Sequence, residues 1–282
     1  MNFKIAVLIT CYNRKVKTLL CLTSLFNNKL NGDYNFDVFL VDDGSTDGTS
    51  DAVIEKFPMV NIIKGSGNLF WNQGMRVAWK HASEKYDYDF YLWLNDDTII
   101  KKNAIDSLIN TFVEVNEQVI IVGTTCSTNN INEITYGGRN NKIGLIPPCN
   151  KYIECDFFNG NIVLIPKQVY KKNGMNDSSF RHALGDFDYG LRAKKNGIKS
   201  YIAPGILGEC DEHSLLADWC NPNISFKQRW KAFRTPLGQN PEEFFIYKLR
   251  HSGLINAILI YFSNHLRVFF PRLWNKRNEN KK

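Results

Sequence analysis

Extended apolar runs that stop at acidic residues recur along this chain, and they constrain its fold more than any other feature. Val38-Phe39-Leu40 leads into Val41-Asp42-Asp43-Gly44-Ser45, and Phe90-Tyr91-Leu92-Trp93-Leu94 leads into Asn95-Asp96-Asp97. Ile5-Ala6-Val7-Leu8-Ile9-Thr10 is a further continuous apolar run of strand length. Runs without polar alternation suit strands covered on both faces by helices. Between them, residues 15–27 place Val16, Leu19, Leu20, Leu22, Leu25 and Phe26 at helical spacing. Helices are also predicted over 49–56, 72–84, 102–114 and 186–196, and strands over 36–41, 60–64, 89–94, 119–123 and 162–166. Strand alternating with helix predicts an α/β fold, a Rossmann-like, mostly parallel central sheet flanked by helices. The carboxyl ends of strands in such a sheet converge on one crevice. The two acidic segments and a third, Gly185-Asp186-Phe187-Asp188, can therefore meet around one ligand. Like charges brought together are costly unless a cation sits among them, and a divalent metal carrying a phosphorylated substrate meets that need.

Residues 126–154 loosen into Asn, Gly and Pro, including Tyr136-Gly137-Gly138 and Pro147-Pro148. They are expected to form a mobile or acceptor-shaping region rather than core. A chain of 282 residues with 44% hydrophobic content can bury one substantial core. The expectation is one large domain over 1–215, its halves dividing near residue 100, and a helical, basic extension over 216–282. Seven cysteines, odd in number and without a CxxC or Cys/His zinc pattern, read as reduced thiols of a cytoplasmic protein. The apolar stretch after Met1 is too short for a signal peptide.

The net charge of +7 is concentrated at the end, in Arg267, Arg272, Lys276, Arg277, Lys281 and Lys282 against Glu279. No zinc finger or aromatic RNA-binding signature accompanies it, so nucleic acid is not an expected partner. Residues 254–262 form an apolar run well short of the roughly 20 residues that span a bilayer. With Phe269, Phe270, Trp274 and the basic residues it can form an interfacial helix, peripheral on the cytoplasmic face of an anionic membrane. Packing on the rest of the chain, or on a second subunit of a homo-oligomer, is the competing reading.

In order and spacing these segments resemble family 2 glycosyltransferases of the GT-A fold, over roughly residues 4–213. Ile9-Thr10-Cys11-Tyr12-Asn13-Arg14 resembles the opening strand and turn, residues 41–47 the nucleotide-binding turn, Asn95-Asp96-Asp97 the DXD-type metal site, and residues 185–192 the late catalytic segment. The loop Gly67-Asn68-Leu69-Phe70-Trp71-Asn72-Gln73-Gly74 is similar to that of bacterial surface-polysaccharide enzymes, rhamnosyltransferases among them. The resemblance implies an inverting, metal-dependent transferase. Such an enzyme moves a sugar from a UDP- or dTDP-sugar to a hydroxyl of a polysaccharide or lipid-linked oligosaccharide, in capsule or O-antigen synthesis.

Residue by residue, the resemblance implies Asp186 as general base, Asp97 with His213 as ligands of Mn²⁺ or Mg²⁺, and Asp96 near the ribose. It further implies donor contacts from Thr10, Asn13, Arg14, Asp42, Asp43, Asn68, Trp71 and Asn72, and acceptor or diphosphate contacts from Asn159, Gly160, Asp188 and Arg192. Asp42 or Asp43 can accept the N3–H of a uracil or thymine ring. Two departures from the family pattern stand out: Asn95 replaces the first acid of the metal motif, and Gly185 stands where a glutamate usually precedes the base. Plainer readings compete. Asp43-Gly44-Ser45-Thr46 can be a turn with Ser45 or Asp47 capping the next helix. Asp186 can be a helix N-terminal acid, Asp188 and Arg192 an i,i+4 pair, and Phe70 and Trp71 core. At the level of function the rivals are a non-catalytic sugar-nucleotide or glycan binder and a sugar nucleotidyltransferase. The latter needs a glycine-rich triphosphate loop that residues 10–14 lack.

Overall fold

The computed structural model describes residues 3–28, 34–212 and 217–272. His213 lies outside them, as does the basic end beyond residue 272. Strand β1 (Phe3–Cys11) is followed by α1 (Lys15–Phe26), β2 (Tyr34–Asp42), α2 (Thr49–Lys56), β3 (Asn61–Lys64), α3 (Phe70–Lys85), β4 (Phe90–Leu94), β5 (Ile99–Ile100), α4 (Ala104–Val115) and β6 (Ile120–Cys126). Short strands β7 (Ile134–Tyr136), β8 (Gly138–Asn140), β9 (Gly144–Leu145), β10 (Ile153–Cys155) and β11 (Phe157–Phe158) come next. β12 (Ile162–Pro166), α5 (Lys167–Asn173), α6 (Gly185–Lys195) and β13 (Ser200–Glu209) complete this part.

The apolar runs are continuous because each strand feeds two cores. Ile5, Val7 and Ile9 of β1 join Leu22 and Leu25 of α1 and Leu108 of α4 on one face, while Ala6 and Leu8 join Met75 and Trp79 of α3 on the other. β4 divides in the same way, Phe90, Leu92 and Leu94 against Tyr91 and Trp93. With a side-chain period of two, a strand buried on both faces has no position left for a polar residue until it ends. The acids therefore collect at the strand ends.

The ten-stranded sheet has the order β10-β13-β6-β12-β4-β1-β2-β3, with β5 on β13 and β7 on β6. Its first half is parallel: β1 pairs with β2 and β4, and β2 with β3. β12 then runs antiparallel between β4 and β6, and β13 lies parallel to β6. Strand β13 escapes a pattern reading because Pro204, Gly205 and Gly208 interrupt it. The structure absorbs them as register shifts between Ile202 and Gly208, with Gly205 at a positive φ of 72°.

The reading of 126–154 as lying outside the core is corrected. Ile146 is buried in the core on the α3 face of the sheet, and β8 and β9 pair in a separate three-stranded sheet completed by β11 beyond the stretch. A Cβ on Gly138 would lie 2.4 Å from Ile202, so the segment is pressed against β13. Its Gly and Asn content reflects close packing and tight turns as much as solvent exposure.

The chain divides into two compact units, Met1–Ser178 with Gly185–Glu212, and Ser179–Leu184 with His213–Lys282. The second is helical: α7 (Phe226–Arg234), α8 (Pro241–Ser252) and α9 (Leu254–Phe269). Ser225 and Gln228 close a capping box on α7, and Asn240 caps α8 ahead of Pro241. Trp219, Phe233 and Val268 form its small core. The excursion 179–184 is held there by Arg181, whose Nε donates to Glu243 Oε1 at 2.6 Å.

One glycine fixes how α3 meets β1. A Cβ on Gly74 would lie 2.2 Å from Thr10 Oγ1 and 2.8 Å from Thr10 Cβ, so any side chain there has to part helix from strand. Overpacking of this kind typically costs about 1–3 kcal/mol. Gly74→Val is expected to lower the thermal midpoint followed by circular dichroism. A midpoint equal to that of the parent would show that the contact yields freely.

Candidate active site

Asp43 follows the end of β2, and its carboxylate organises the loop that opens α3. Its Oδ1 accepts the N–H of Gly67 at 2.8 Å, and its Oδ2 accepts those of Leu69 at 2.8 Å and Phe70 at 2.9 Å. Phe70 takes a positive φ of 56° to present that N–H, a conformation an aromatic residue holds only when its surroundings impose it. Asp42 accepts from Ser45 N at 2.9 Å and from the Ser50 hydroxyl.

The turn after β1 is tied to the turn after β2. Asn13, in the left-handed region, donates its N–H to Ser45 Oγ at 2.9 Å and accepts Thr46 N–H at 2.7 Å, while Lys15 N–H bonds to Asp47 Oδ2 at 2.9 Å. Arg14 is thereby aimed at the end of β4. Its Nη1 lies 2.7 Å from Asp97 Oδ2 and 3.3 Å from Asp96 Oδ1. Burial works against the guanidinium charge, but the two carboxylates outweigh it and raise its affinity for the proton.

Asp96 is 6% exposed, and its Oδ2 has no hydrogen-bond partner among the described residues. Burial, reinforced by the adjacent Asp97 charge and opposed by Arg14, pushes its carboxyl up to about 7. Asp97 Oδ1 accepts the Cys210 thiol at 3.5 Å, and Asn95 Oδ1 accepts the Trp71 indole N–H at 2.7 Å.

Trp71 also links this turn to the third acidic segment. A Cβ on Gly160 would fall 2.4 Å from the Trp71 ring and 3.5 Å from Asp186 Cβ, so only glycine fits between them. Gly160 N–H donates to Asp186 Oδ2 at 3.0 Å, and Phe187 N–H to Asp186 Oδ1 at 2.8 Å. Burial raises the Asp186 carboxyl to about 6 against those two bonds, which favour its ionised form. A carboxylate of that basicity in the first turn of α6 can exchange a proton near neutral pH.

Gly185 has a steric reason. A Cβ there would lie 2.0 Å from Asn72 Oδ1, so the glutamate common at this place in the family has no room. The residue before it, Leu184, has a φ of 69°.

Several of the expected contact residues are engaged within the chain. Asn72 is buried and bonds to Asn176 and the Asp177 carbonyl, which holds the segment before α6. Asp188 is buried and paired with Arg192 at 2.8 Å, and Arg192 also donates to the carbonyls of Asn173 and Met175. That pair clamps α6 to the end of α5. Thr10 is buried against Gly74, and Asn13 ties two turns together. Asp42 and Asp43 meet N–H and O–H groups of the chain itself.

Asn68 is exposed on the 65–69 loop, and Asn159 accepts from Arg139 at 3.1 Å. Arg139 and Cys210 were not anticipated. Arg139 lies in the stretch read as loose, and no local pattern marks a lone cysteine on a strand end as the partner of Asp97.

Among the described residues, the donor set does not fit a resident divalent ion as it stands. Such an ion needs hard oxygens at close range, but Asp97 Oδ2 holds Arg14, its Oδ1 holds Cys210, and Asn95 Oδ1 holds Trp71. Among the described residues no three His, Cys, Asp or Glu side chains gather to hold a metal.

Comparison with known proteins gives a consistent picture. The sequence pattern of glycosyl transferase family 2 matches residues 6–174. Hyaluronan synthase of Streptococcus pyogenes is 28% identical over 128 residues, 44% of this chain and 29% of that protein. The fold is similar to that of S. aureus TarS 1-349 in complex with UDP, with a TM-score of 0.56 at 15% identity over 88% of this chain and 66% of that one. A second TarS 1-349 structure gives 0.55 at 14% identity, over 88% and 72%. The chain thus spans under a third of the hyaluronan synthase and about two thirds of the first TarS fragment. With its family pattern extending over more than half of the residues and running through β1, the acidic turns and β12, this chain belongs to glycosyl transferase family 2.

Proposed function

We propose that this protein transfers a sugar, hexosyl or deoxyhexosyl, from a UDP- or dTDP-sugar to a hydroxyl of a bacterial surface glycan or its lipid-linked precursor, inverting the anomeric centre. Family membership supports the reaction class. The names of the relatives, a hyaluronan synthase and a TarS fragment bound to UDP, support a nucleotide-sugar donor and a cell-surface acceptor. The single observation that carries the reading is the meeting of the Asn95-Asp97 turn and Asp186 across Gly160 and Trp71, at the carboxyl end of β4.

In this reading the acceptor hydroxyl attacks the anomeric carbon as the bond from that carbon to the diphosphate breaks, with the electron pair leaving on the diphosphate. The hydroxyl proton passes to Asp186, whose Oδ1 and Oδ2 are held by the N–H groups of Phe187 and Gly160. Those bonds fix the carboxylate, and burial keeps it basic enough to take a proton. Trp71 lies beside it across Gly160.

The helical unit carries a membrane contact in this proposal. Along α9, Ile255, Leu259, Phe262 and Leu266 are exposed at helical spacing, and basic residues follow from Arg267 onward. No helix among the described residues is long and apolar enough to cross a membrane. An apolar stripe beside cationic residues matches the boundary of an anionic bilayer.

Asp186→Asn is expected to lower kcat for transfer by on the order of 10²–10⁴ while UDP or dTDP binding persists. Nucleotide release and calorimetry measure the two, and near-normal turnover would remove Asp186 from the role of base. Because the ionised form is the active one, the wild-type rate should climb as pH rises through about 6, and the variant should lack that limb. The full chain should sediment with anionic liposomes and be released by high salt. Recovery in the supernatant at low salt would assign the α9 stripe to a protein contact.

A further inference from the structure

The Asn95-Asp96-Asp97 turn holds a side-chain cation in the place where the family resemblance implies a metal. Arg14 Nη1 bridges Asp97 Oδ2 at 2.7 Å and Asp96 Oδ1 at 3.3 Å. The residues on either side of Arg14 are pinned to the turn after β2 by the Asn13 and Lys15 bonds, which fixes where the guanidinium can reach. Of its three nitrogens only Nη1 is engaged among the described residues, and the side chain keeps 38% exposure. One prong of the fork is anchored, and the other is available to an anion. Beside it lies Asp96 Oδ2, buried and without a hydrogen-bond partner among the described residues.

From this juxtaposition we infer that Arg14 is the cation of the leaving diphosphate. It bridges Asp96 and Asp97 through Nη1 and offers Nη2 and Nε to phosphate oxygens, so that donor binding and transfer need neither Mn²⁺ nor Mg²⁺. The inference rests on the nucleotide-sugar reading above. A divalent ion would have to share Asp97 Oδ2 with a guanidinium already in hydrogen-bond contact, and two cations on one oxygen repel, so the ion enters only if Arg14 leaves. Guanidinium is permanently charged and its planar fork matches phosphate bidentately. Lys17, in the first turn of α1, also acts electrostatically on Asp96 and Asp211. As the bond from the anomeric carbon to the diphosphate breaks, the electron pair stays on the phosphate oxygen facing Arg14. The acceptor oxygen forms the new bond, and its proton goes to Asp186. Fixed positive charge aimed at the developing negative charge is the electrostatic device that such a step requires.

The test uses the full chain as wild type, Arg14→Ala and Arg14→Lys. Calorimetry follows UDP, dTDP and uridine with EDTA or with Mn²⁺, and electron paramagnetic resonance follows Mn²⁺ alone. The wild type should bind one of the diphosphates in EDTA as well as in Mn²⁺ and should bind little Mn²⁺ by itself. Arg14→Ala should weaken the diphosphate in EDTA by roughly tenfold to a hundredfold, leave uridine unaffected and gain Mn²⁺ binding. Arg14→Lys, which keeps the charge and serves as the folding control, should fall between. Diphosphate binding by the wild type that requires Mn²⁺, equal binding by Arg14→Ala, or Mn²⁺ binding that is the same in wild type and Arg14→Ala would overturn the assignment. Failure of both diphosphates to bind in either buffer would instead overturn the nucleotide-sugar reading, and the Mn²⁺-alone arm would still decide what occupies the cation position.

Discussion

A carboxylate taken out of water persists only where hydrogen-bond donors or cations replace its hydration, and this constraint orders the whole catalytic unit. The buried stretches of β2 and β4 meet acids where they end, so the sheet gathers Asp42, Asp43, Asp96 and Asp97 there, and the first turn of α6 adds Asp186. Each then finds a different replacement for water. Asp43 takes three backbone N–H groups and in doing so shapes the loop into α3. Asp97 takes an arginine and a thiol. Asp186 takes two N–H groups and keeps part of its surface open. Asp96 is left with an oxygen that nothing in the described chain satisfies. The degree of satisfaction separates these residues into two groups. The saturated ones hold the fold, and the unsaturated ones are left with oxygens that the described chain does not fully satisfy.

The same separation explains what was legible from the residues alone. Continuous apolar runs mark β1, β2, β4 and β12 because burial on both faces leaves no polar position, and helical spacing marks α1, α3 and α4. β13 was not legible, since Pro204 and Gly205 read as a break and only pairing with β6 turns them into a bulged strand. In the site, the acidic turns were visible as sequence, but which acid does what was not. The deciding partners are remote in the chain: Arg14 and Asp97 are separated by 83 positions and Asn72 and Asp177 by 105. Asp188 and Arg192 show the opposite limit. Their spacing announced a pair, but only the burial of Asp188 and the carbonyls around Arg192 show that the pair is a clamp.

The helical unit is built on different terms. Its core is small, centred on Trp219, Phe233 and Val268, and its helices start at capping residues placed by sequence, Ser225 and Asn240. Much of the apolar surface of α9 goes uncovered by its own unit. Short helices with strong caps and one bare apolar face gain a large part of their stability from what they lie against. The two units therefore differ in kind: one encloses its carboxylates, the other presents its hydrocarbon outward.

The close approach of position 185 to Asn72 carries a consequence for how this lineage can change. A glutamate does not fit beside Asp186 while the Asn72 amide fills the space a Cβ needs, and Asn72 cannot shrink without freeing the Asn176 and Asp177 groups it binds. The two sites form one epistatic unit. Any single step toward an acidic pair at 185 and 186 passes through either a steric overlap or a hole, set by a neighbour that stands far away in the chain.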